Sequence, residues 1–229
     1  MNSLVIIPAR GGSKGIPHKN IKELGGKPLI CYTIDLARSL VSDKDICVST
    51  DDMEIIRVVE NYGLKVPFVR PAYLATDTMG TYEVLLHALD FYEKNGKKFD
   101  NIILLQCTSP FRRIDDVRGA LGLYTPDIDM VVSVKEAVSN PYYNAFEENE
   151  SGFLSISKGD GHYHRRQDAP KAWEYNGAIY IINPESLKEK PMSDFTKIVK
   201  YVMDDIHSID LDTMFDWKLA ELILKEKMI

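Results

Sequence analysis

Over the first 134 residues, short apolar runs alternate with longer amphipathic segments. The apolar runs have the length and composition of buried strands and comprise residues 3–8, 45–49, 101–106 and 129–134. The segments between them carry apolar residues at helical spacing and comprise residues 28–40, 53–62, 80–93 and 115–124. Strands that alternate with crossover helices predict an α/β, doubly wound fold with a mostly parallel sheet.

The pattern changes near residue 135. From there to about residue 196 the chain is rich in Asn, Pro, Gly, Tyr and charged residues, which predicts hairpins and long loops. Within this stretch the apolar run 177–183 has the composition to return to the main sheet. We therefore predict a single domain over residues 1–229 with an inserted arm at 135–196.

Composition and charge narrow the class of protein. Of the 229 residues 45% are hydrophobic, yet no apolar run is long enough to cross a bilayer, and the start of the chain has the pattern of a strand rather than of a signal peptide. The formal net charge of -6 argues against a nucleic-acid partner. Cys31, Cys47 and Cys107 are scattered, which favours free thiols in a reducing compartment. We expect a cytoplasmic protein with neither a nucleic-acid nor a membrane partner.

A glycine-rich, basic segment follows the first predicted strand. In a doubly wound sheet ligands bind at the carboxyl ends of the strands, and residues 8–20 leave that end. The glycines of this segment allow a tight turn that presents backbone N–H groups, and Arg10, Lys14 and Lys19 add positive charge. The spacing matches neither a Walker loop nor a dinucleotide motif. The segment favours phosphate binding over an incidental solvated turn.

The string IIPARGGSKGIPHKN (6–20) resembles the signature of the acylneuraminate (CMP-sialic acid) cytidylyltransferase family. Further family motifs match in order along almost the whole chain: VSTDD (48–52), RPAYLATDT (70–78), LLQCTSPFR (104–112), RRQDAP (165–170), YNGAIYI (175–181) and SIDLDT (208–213). The related CMP-Kdo synthetases carry a different string in the loop, which favours the sialic acid branch. The resemblance implies a Rossmann-like nucleotidyltransferase fold.

The resemblance also implies a set of binding residues. For CTP, the residues implied to hold phosphates, cytosine edge, base and ribose are Arg10, Ser13, Lys14, Lys19, Asn20, Arg70 and Thr81. For the sugar, the implied residues are Gln106, Arg166, Asn176 and Tyr180. An amide such as that of Asn20 offers both a donor and an acceptor and distinguishes cytosine from uracil. On composition alone Arg70 would be a surface arginine, and Tyr180 also fits a core aromatic.

Asp210 and Asp212 lie two residues apart near the C-terminus. In an extended segment Ile209 and Leu211 would face the core, and the two carboxylates would face the other way, side by side, as in a Mg²⁺ site. The spacing alone fits equally well a helix cap, because Thr213 or Asp212 is the expected N-cap of a helix predicted at 213–227. The resemblance favours the metal site and a catalytic role for both aspartates with Arg10 and Lys14.

The implied reaction is the transfer of CMP from CTP to the anomeric hydroxyl of N-acetylneuraminic acid or a related nine-carbon acidic sugar, with release of pyrophosphate. Two departures from the family leave the sugar open among sialic, legionaminic and pseudaminic acids. Residues 140–144 read NPYYN where a lysine can occur, and 191–199 retain only Phe195 of a phenylalanine pair. A cytidylyltransferase for Kdo and a non-catalytic nucleotide-binding protein are the alternatives. The arm resembles the family's dimerisation element, so we expect a homodimer.

Overall fold

The computed structural model describes residues 1–76 and 80–229, so the last two residues of the motif 70–78 lie outside the described residues. The strands are β1 (Ser3–Pro8), β2 (Glu23–Leu24), β3 (Lys27–Pro28), β4 (Ile46–Ser49), β5 (Asn101–Leu105), β6 (Met130–Glu136), β7 (Phe146–Glu148), β8 (Leu154–Ile156), β9 (Trp173–Ile182) and β10 (Ile198–Val202). The α-helices are α1 (Leu29–Arg38), α2 (Met53–Asn61), α3 (Thr81–Lys94), α4 (Ile114–Gly122), α5 (Pro184–Glu189) and α6 (Met214–Lys225). The elements predicted from the sequence are all present, with ends that differ by a few residues.

Six strands form the central sheet in the order β10-β6-β9-β5-β1-β4. Strand β1 is parallel to β4 and β5, and β10 is parallel to β6. Strand β9, which contains most of the apolar run 177–183, is antiparallel to both of its neighbours. The prediction of a mostly parallel α/β sheet is confirmed, and the return of this run to the sheet is confirmed with it.

Both faces of the sheet are covered. Successive residues of a strand point to opposite faces, and in β1 this places Val5 and Ile7 in one apolar cluster and Leu4 and Ile6 in the other. Helices α1, α2 and α4 contribute to the first cluster and α3 and α5 to the second, which is the doubly wound arrangement. None of the described helices combines the length and apolarity needed to span a bilayer.

A third, smaller cluster fixes the N-terminal loop. Ile16 of the loop and Leu211 of the acidic segment are fully buried and pack with Trp217 of α6. Helix α6 is capped by Thr213, whose hydroxyl accepts from the N–H of Asp216 while the Asp216 carboxylate accepts from the N–H of Thr213. Thr213 is therefore the N-cap, and the alternative that Asp212 caps the helix is wrong.

Strand β9 contains a bulge where it passes β6. Val132 pairs with Tyr180, but Val134 pairs with Tyr175, so β9 has more residues than β6 between the two pairs. The buried Ser133 hydroxyl replaces the missing ladder contacts: it accepts from the N–H of Ile179 at 2.8 Å. Gly177 adopts φ +73° within the bulge, a conformation that favours glycine.

The predicted arm 135–196 divides into parts. Residues 173–182 belong to the central sheet as β9, and the excursion outside the sheet is 137–172, closed at its base by the N–H of Ala137 donating to the carbonyl of Ala172 at 3.0 Å. The excursion carries the hairpin β7–β8, on which Phe146, Phe153 and Leu154 are more than half exposed. Its role in dimerisation stays a prediction.

Candidate functional site

The glycine-rich loop leaves the carboxyl end of β1 and folds back on itself. The side-chain amide of Asn20 donates to the carbonyl of Arg10 at 3.0 Å, which joins the two ends of the loop. At Gly15 the loop touches the acidic segment so closely that a side-chain carbon at this position would lie 2.1 Å from the Asp212 carbonyl oxygen. The loop and the segment 208–213 therefore form one wall, although they come from opposite ends of the chain.

A cleft of about 430 Å³ opens beside this wall. Nine residues predicted for the site line it: Arg10, Ser13, Lys14, Lys19, Asn20, Arg70, Thr81, Gln106 and Asp212. Thr81 is the first residue of α3, so the positive end of that helix dipole faces the cleft. The cleft therefore combines basic side chains, a glycine-rich loop and a helix N-terminus, which together suit a polyanionic ligand.

Lys19 connects the basic loop to the acidic segment. Its ammonium donates to the carbonyl of Leu211 at 2.7 Å and to the carboxylate of Asp212 at 3.1 Å. The lysine side chain is 12% exposed and the aspartate 71% exposed. A buried cation and a solvated anion thus meet at the floor of the cleft, within reach of a bound phosphate.

Arg70 is buried at the end of β4. Its guanidinium donates to the hydroxyl of Ser49 at 3.1 Å and to the carbonyl of the same residue. Burial lowers the pKa of Arg70, and the nearby Asp51 opposes that shift. The surface-arginine alternative is wrong: Arg70 reaches the cleft from within the fold, held by the strand end.

Asp210 is half-buried, and its Oδ1 atom is inaccessible to solvent and has no hydrogen-bond partner among the described residues. Burial raises the pKa of Asp210, and the charge of Asp212 adds to the rise, whereas Thr108 and Lys19 oppose it. An unpartnered carboxylate oxygen beside a second carboxylate fits a divalent cation. No larger group of metal-binding side chains converges within ranges 1–76 and 80–229. Phosphate oxygens and water would have to supply the other ligands.

A second cavity of about 290 Å³ is lined by Asp210, which does not line the first cleft. Its lining includes Asn176, Tyr175 and Leu219, together with Lys135, which forms an ion pair with Glu174 at 3.0 Å. Gln106 of the first cleft and Asp210 of the second approach each other at Gly177. A side-chain carbon there would lie 3.6 Å from Gln106 Oε1 and 3.7 Å from Asp210 Oδ2.

Three of the residues predicted to bind the sugar lie outside the first cleft. Asn176 lines the second cavity, but its amide is buried and fully engaged: its oxygen accepts from Ser133 and its nitrogen donates to Ser208 and to the Met203 sulfur. Asn176 therefore shapes the bulge rather than presenting free polar atoms. Its hydrogen bonds replace those that the bulge removes from the ladder.

Tyr180 and Arg166 line neither cavity. Tyr180 is a core aromatic packed among the residues of the second apolar cluster, and burial raises the pKa of its hydroxyl to about 12. Arg166 is exposed on a 3₁₀ turn of the arm, where it donates to the carbonyl of Ala137 at 3.0 Å. The structure of this one chain does not bring either residue to the cleft.

Sequence reasoning missed Arg112, which lies behind the site. Its side chain is buried and donates to the carbonyls of Ala178 and Gln106 and to the hydroxyl of Thr33. The available signal was its place at the end of LLQCTSPFR, a motif otherwise made of apolar and small polar residues. Thr108, which lines the first cleft, lies in the same motif.

The fold and the basic, glycine-rich cleft are those expected of a nucleotidyltransferase. A sequence profile described as cytidylyltransferase matches residues 4–218. The chain belongs to the cytidylyltransferase family, in the group that resembles CMP-sialic acid synthetases, as the loop motif predicts.

Three known proteins illustrate the relationship. The chain is 32% identical to a CMP-N,N'-diacetyllegionaminic acid synthase of Legionella pneumophila, covering 98% of this chain and 97% of that protein. It is 38% identical to an N-acylneuraminate cytidylyltransferase of Streptococcus agalactiae, covering 95% of this chain and 52% of the longer relative. A solved CMP:2-keto-3-deoxy-manno-octonic acid synthetase complexed with CTP superimposes with a TM-score of 0.72 at 18% identity, covering 99% of this chain and 100% of that one. This last likeness concerns the fold alone.

Proposed function

We propose that the protein transfers CMP from CTP to the anomeric hydroxyl of a nonulosonic acid, N-acetylneuraminic acid or a close relative, and releases pyrophosphate. The observation that carries the proposal is the shared cleft in which the basic loop and Asp212 meet through Lys19. Phosphate-binding groups and a carboxylate pair at one edge of the sheet suit phosphoryl transfer from a nucleoside triphosphate. The names of the two bacterial relatives support an acidic nine-carbon sugar as acceptor.

In the proposed reaction the hydroxyl oxygen at C2 of the sugar attacks the α-phosphorus of CTP. The bond from that phosphorus to the oxygen bridging to the β-phosphate breaks, pyrophosphate carries away the electron pair, and the proton of the attacking hydroxyl passes to water. Arg10, Lys14 and Lys19 line the cleft at the end of β1 and would hold the phosphates and stabilise the charge on the leaving group. Asn20, tied to the carbonyl of Arg10, would read the cytosine edge at the floor of the cleft.

Asp210 and Asp212 would hold Mg²⁺. The fit rests on the unpartnered Oδ1 of Asp210 and on the negative charge of its neighbour Asp212. When bound, the ion would neutralise charge on the phosphates and lower the pKa of an oxygen it contacts. Lys19, which forms an ion pair with Asp212, is placed to exchange that partner for a phosphate when nucleotide and metal bind together.

The second cavity is the proposed sugar site. It adjoins Asp210, and Gln106 stands at its junction with the nucleotide cleft. Lys135, which lines the cavity, would pair with a sugar carboxylate by exchanging its partner Glu174, and Tyr175 and Leu219 offer apolar surface to an acyl group. Glu174, Asp205 and Asp216 also line the cavity, so a cation held by Asp210 would be needed to offset part of their negative charge. Arg166 would reach this site only if a neighbouring subunit or a movement of the arm brought it there.

The experiment that tests the function measures pyrophosphate release from CTP and Mg²⁺ with four acids in parallel: N-acetylneuraminic, legionaminic, pseudaminic and Kdo. We expect turnover with a nine-carbon acid at least about tenfold above that with Kdo. Turnover with Kdo alone would favour the alternative sugar class. CTP binding by calorimetry without turnover on any acid would favour the non-catalytic alternative.

We further propose that the protein is a cytoplasmic homodimer. The hairpin β7–β8 exposes Phe146, Phe153 and Leu154. A two-stranded hairpin is marginally stable alone, and a partner surface would both order it and cover its apolar side chains. Sedimentation at micromolar concentration tests this, and a monomer would contradict it.

A further inference from the structure

The guanidinium of Arg112 joins three elements behind the site. It donates through Nη1 to the carbonyl of Ala178 at 2.8 Å, and through Nη2 to the hydroxyl of Thr33 at 2.7 Å and to the carbonyl of Gln106. These acceptors belong to the bulge of β9, to α1 and to the end of β5. The side chain is 5% exposed, so these bonds form away from solvent.

The two carbonyls flank the junction of the two cavities. Ala178 follows Gly177, the residue at which Gln106 Oε1 and Asp210 Oδ2 converge. Ala178 lies in the bulge, outside the registered pairs of β9 with β5 and β6, and its carbonyl accepts from Arg112 in place of a strand partner. One rigid, planar donor thus sets the separation of the strand end that carries Gln106 and the bulge beside Asp210.

The polar groups around Arg112 are not fully satisfied. Its Nε, the hydroxyls of Thr108 and Ser109 and the Oδ1 of Asp210 are buried without a hydrogen-bond partner among the described residues. Burial lowers the pKa of Arg112 to about 10, while the negative charge of Asp210 opposes the shift. The guanidinium therefore stays charged at neutral pH and lies within the electrostatic reach of Asp210. A buried charge of this kind is costly unless its donors are hydrogen-bonded, as Nη1 and Nη2 of Arg112 are.

We propose that Arg112 is a positioning residue for the acceptor half of the reaction: it holds Gln106 and the β9 bulge at the distance that the sugar and Asp210 require. This proposal rests on the proposed function, which identifies the acceptor as a sugar. The nucleotide loop is held by other contacts, those of Asn20 with Arg10 and of Lys19 with Leu211. Gln106 also lines the nucleotide cleft, so loss of the guanidinium fork should disturb the sugar side more than the loop that holds CTP.

Arg112→Lys tests the proposal, because a lysine keeps the charge but cannot donate in the same fork to acceptors on different elements. The matched control is Arg113→Lys, the same change at the adjacent, half-exposed arginine, which pairs with Asp116. Amide hydrogen exchange followed by mass spectrometry is read in three segments: 104–109, 175–179 and 10–20. We expect exchange in the first two segments to quicken about tenfold in Arg112→Lys only, with 10–20 unchanged. Rates within about twofold of wild type in both segments would overturn the proposal.

Kinetics supply a readout that a general structural role would not move. With the acid that the wild type uses, Arg112→Lys should raise the sugar KM and lower kcat, each about tenfold, with the CTP KM within about twofold of wild type. Equal losses toward both substrates would overturn the proposal. If the wild type used no acid at all, the proposed function would fail, and hydrogen exchange would still decide the role of Arg112.

Thr33→Val keeps the arginine and removes one of its acceptors, on α1, at a position that lines neither cavity. It covers the case in which Arg112→Lys does not fold. Exchange in segments 104–109 and 175–179 should quicken about threefold, with the same preference for the sugar KM over the CTP KM. Unchanged exchange and unchanged sugar KM in a folded Thr33→Val protein would overturn the proposal.

Discussion

Gly15 lies directly against the carbonyl oxygen of Asp212, which a side-chain carbon at residue 15 would approach to 2.1 Å. Because both groups are backbone, neither can rotate away. Gly15→Ala should therefore push the loop off the acidic segment, with a loss of about 1–3 kcal/mol in the free energy of unfolding and a higher KM for CTP. Urea unfolding measures the first effect and steady-state kinetics the second.

Gly12→Ala is the matched control for stability, since a side-chain carbon at Gly12 meets no atom within 4 Å. Its unfolding midpoint should stay close to that of the wild type. Equal midpoints for both alanine variants would mean that the loop does not approach Asp212 in solution as closely as described.

Lys19→Met should impair the use of CTP far more than it lowers the stability of the fold. The Asp212 partner is 71% exposed, so the ion pair itself adds little stability. Loss of the hydrogen bond from Lys19 to the Leu211 carbonyl should cost about 1 kcal/mol in the free energy of unfolding. A charge-assisted contact to a phosphate is stronger, and its loss should lower kcat/KM for CTP about 10- to 100-fold. Lys65→Met, at an exposed lysine that lines neither cavity of the site, is the control. This prediction would be contradicted if Lys19→Met lost as much free energy of unfolding as it lost in transition-state stabilisation calculated from kcat/KM.

Asp210→Asn and Asp212→Asn should each reduce kcat by at least about 100-fold at saturating Mg²⁺ while CTP binding is retained. The amide keeps the shape of the carboxylate but loses the charge that would hold the cation. Asp115→Asn removes an exposed carboxylate in the first turn of α4 and should leave turnover unchanged. Near-normal turnover of Asp210→Asn would exclude the proposed metal role of this residue.

Asp129 should make stability depend on pH. Its buried carboxylate accepts from the N–H groups of Thr196 and Lys197 and from the hydroxyl of Ser186. The Lys197 N–H holds the pKa of Asp129 far below its usual range; burial opposes this, and Ser186 and Thr196 assist it. Because the folded-state pKa is depressed, the stabilisation is complete above the unfolded-state pKa and is lost as pH falls through the folded-state value.

Asp129→Asn should therefore lower the free energy of unfolding by about 2 kcal/mol at pH 7. The difference in unfolding free energy between the variant and the wild type should become smaller as the pH falls below about 4. Urea unfolding at a series of pH values measures both quantities. The exposed Asp194→Asn variant controls for the loss of one negative charge. A difference that widened on acidification would show that the sign of the linkage is wrong.

The double variant Phe153→Ser, Leu154→Ser should shift the protein from dimer to monomer. Both side chains are 69% exposed on the hairpin, so their removal should leave the fold of the single chain intact. Sedimentation velocity gives the oligomeric state and far-UV circular dichroism checks the fold. A wild-type mass for the double variant would place the dimer contact elsewhere.

Much of the fold could be predicted from the sequence because hydrophobic periodicity and composition determine the structure of short segments. The apolar runs of β1 and β5 have the length and composition of buried strands, and the alternation at 208–213 correctly placed Leu211 inside and Asp212 outside. The alternation did not place Ile209 and Asp210, which both line the second cavity. The loop of Gly15 and Lys19 was recognisable because its glycines and cations are contiguous. These are properties of short segments, which a pattern along the chain records.

The remainder depends on contacts between distant segments. The bulge of β9 was not predicted because the run 177–183 resembles a regular strand, and the Asn-Gly pair before it was the only local signal. The family resemblance assigned Asn176 to the sugar; the residue lines the second cavity, but its amide is engaged within the bulge, which no pattern along the chain indicates. Arg112 escaped notice because arginine is ordinarily solvent-exposed, and only the folded chain shows the three acceptors that surround it.

The excursion 137–172 begins and ends at adjacent positions, since Glu136 pairs with Trp173 across β6 and β9. Such a segment can be exchanged as a unit. Its replacement by the corresponding segment of a relative should leave every strand of the central sheet and the nucleotide loop in place. Chimaeras joined at this base could then be compared with the wild type for their preference among acceptor sugars. The comparison would show how much of that preference depends on the excursion and how much depends on the sheet.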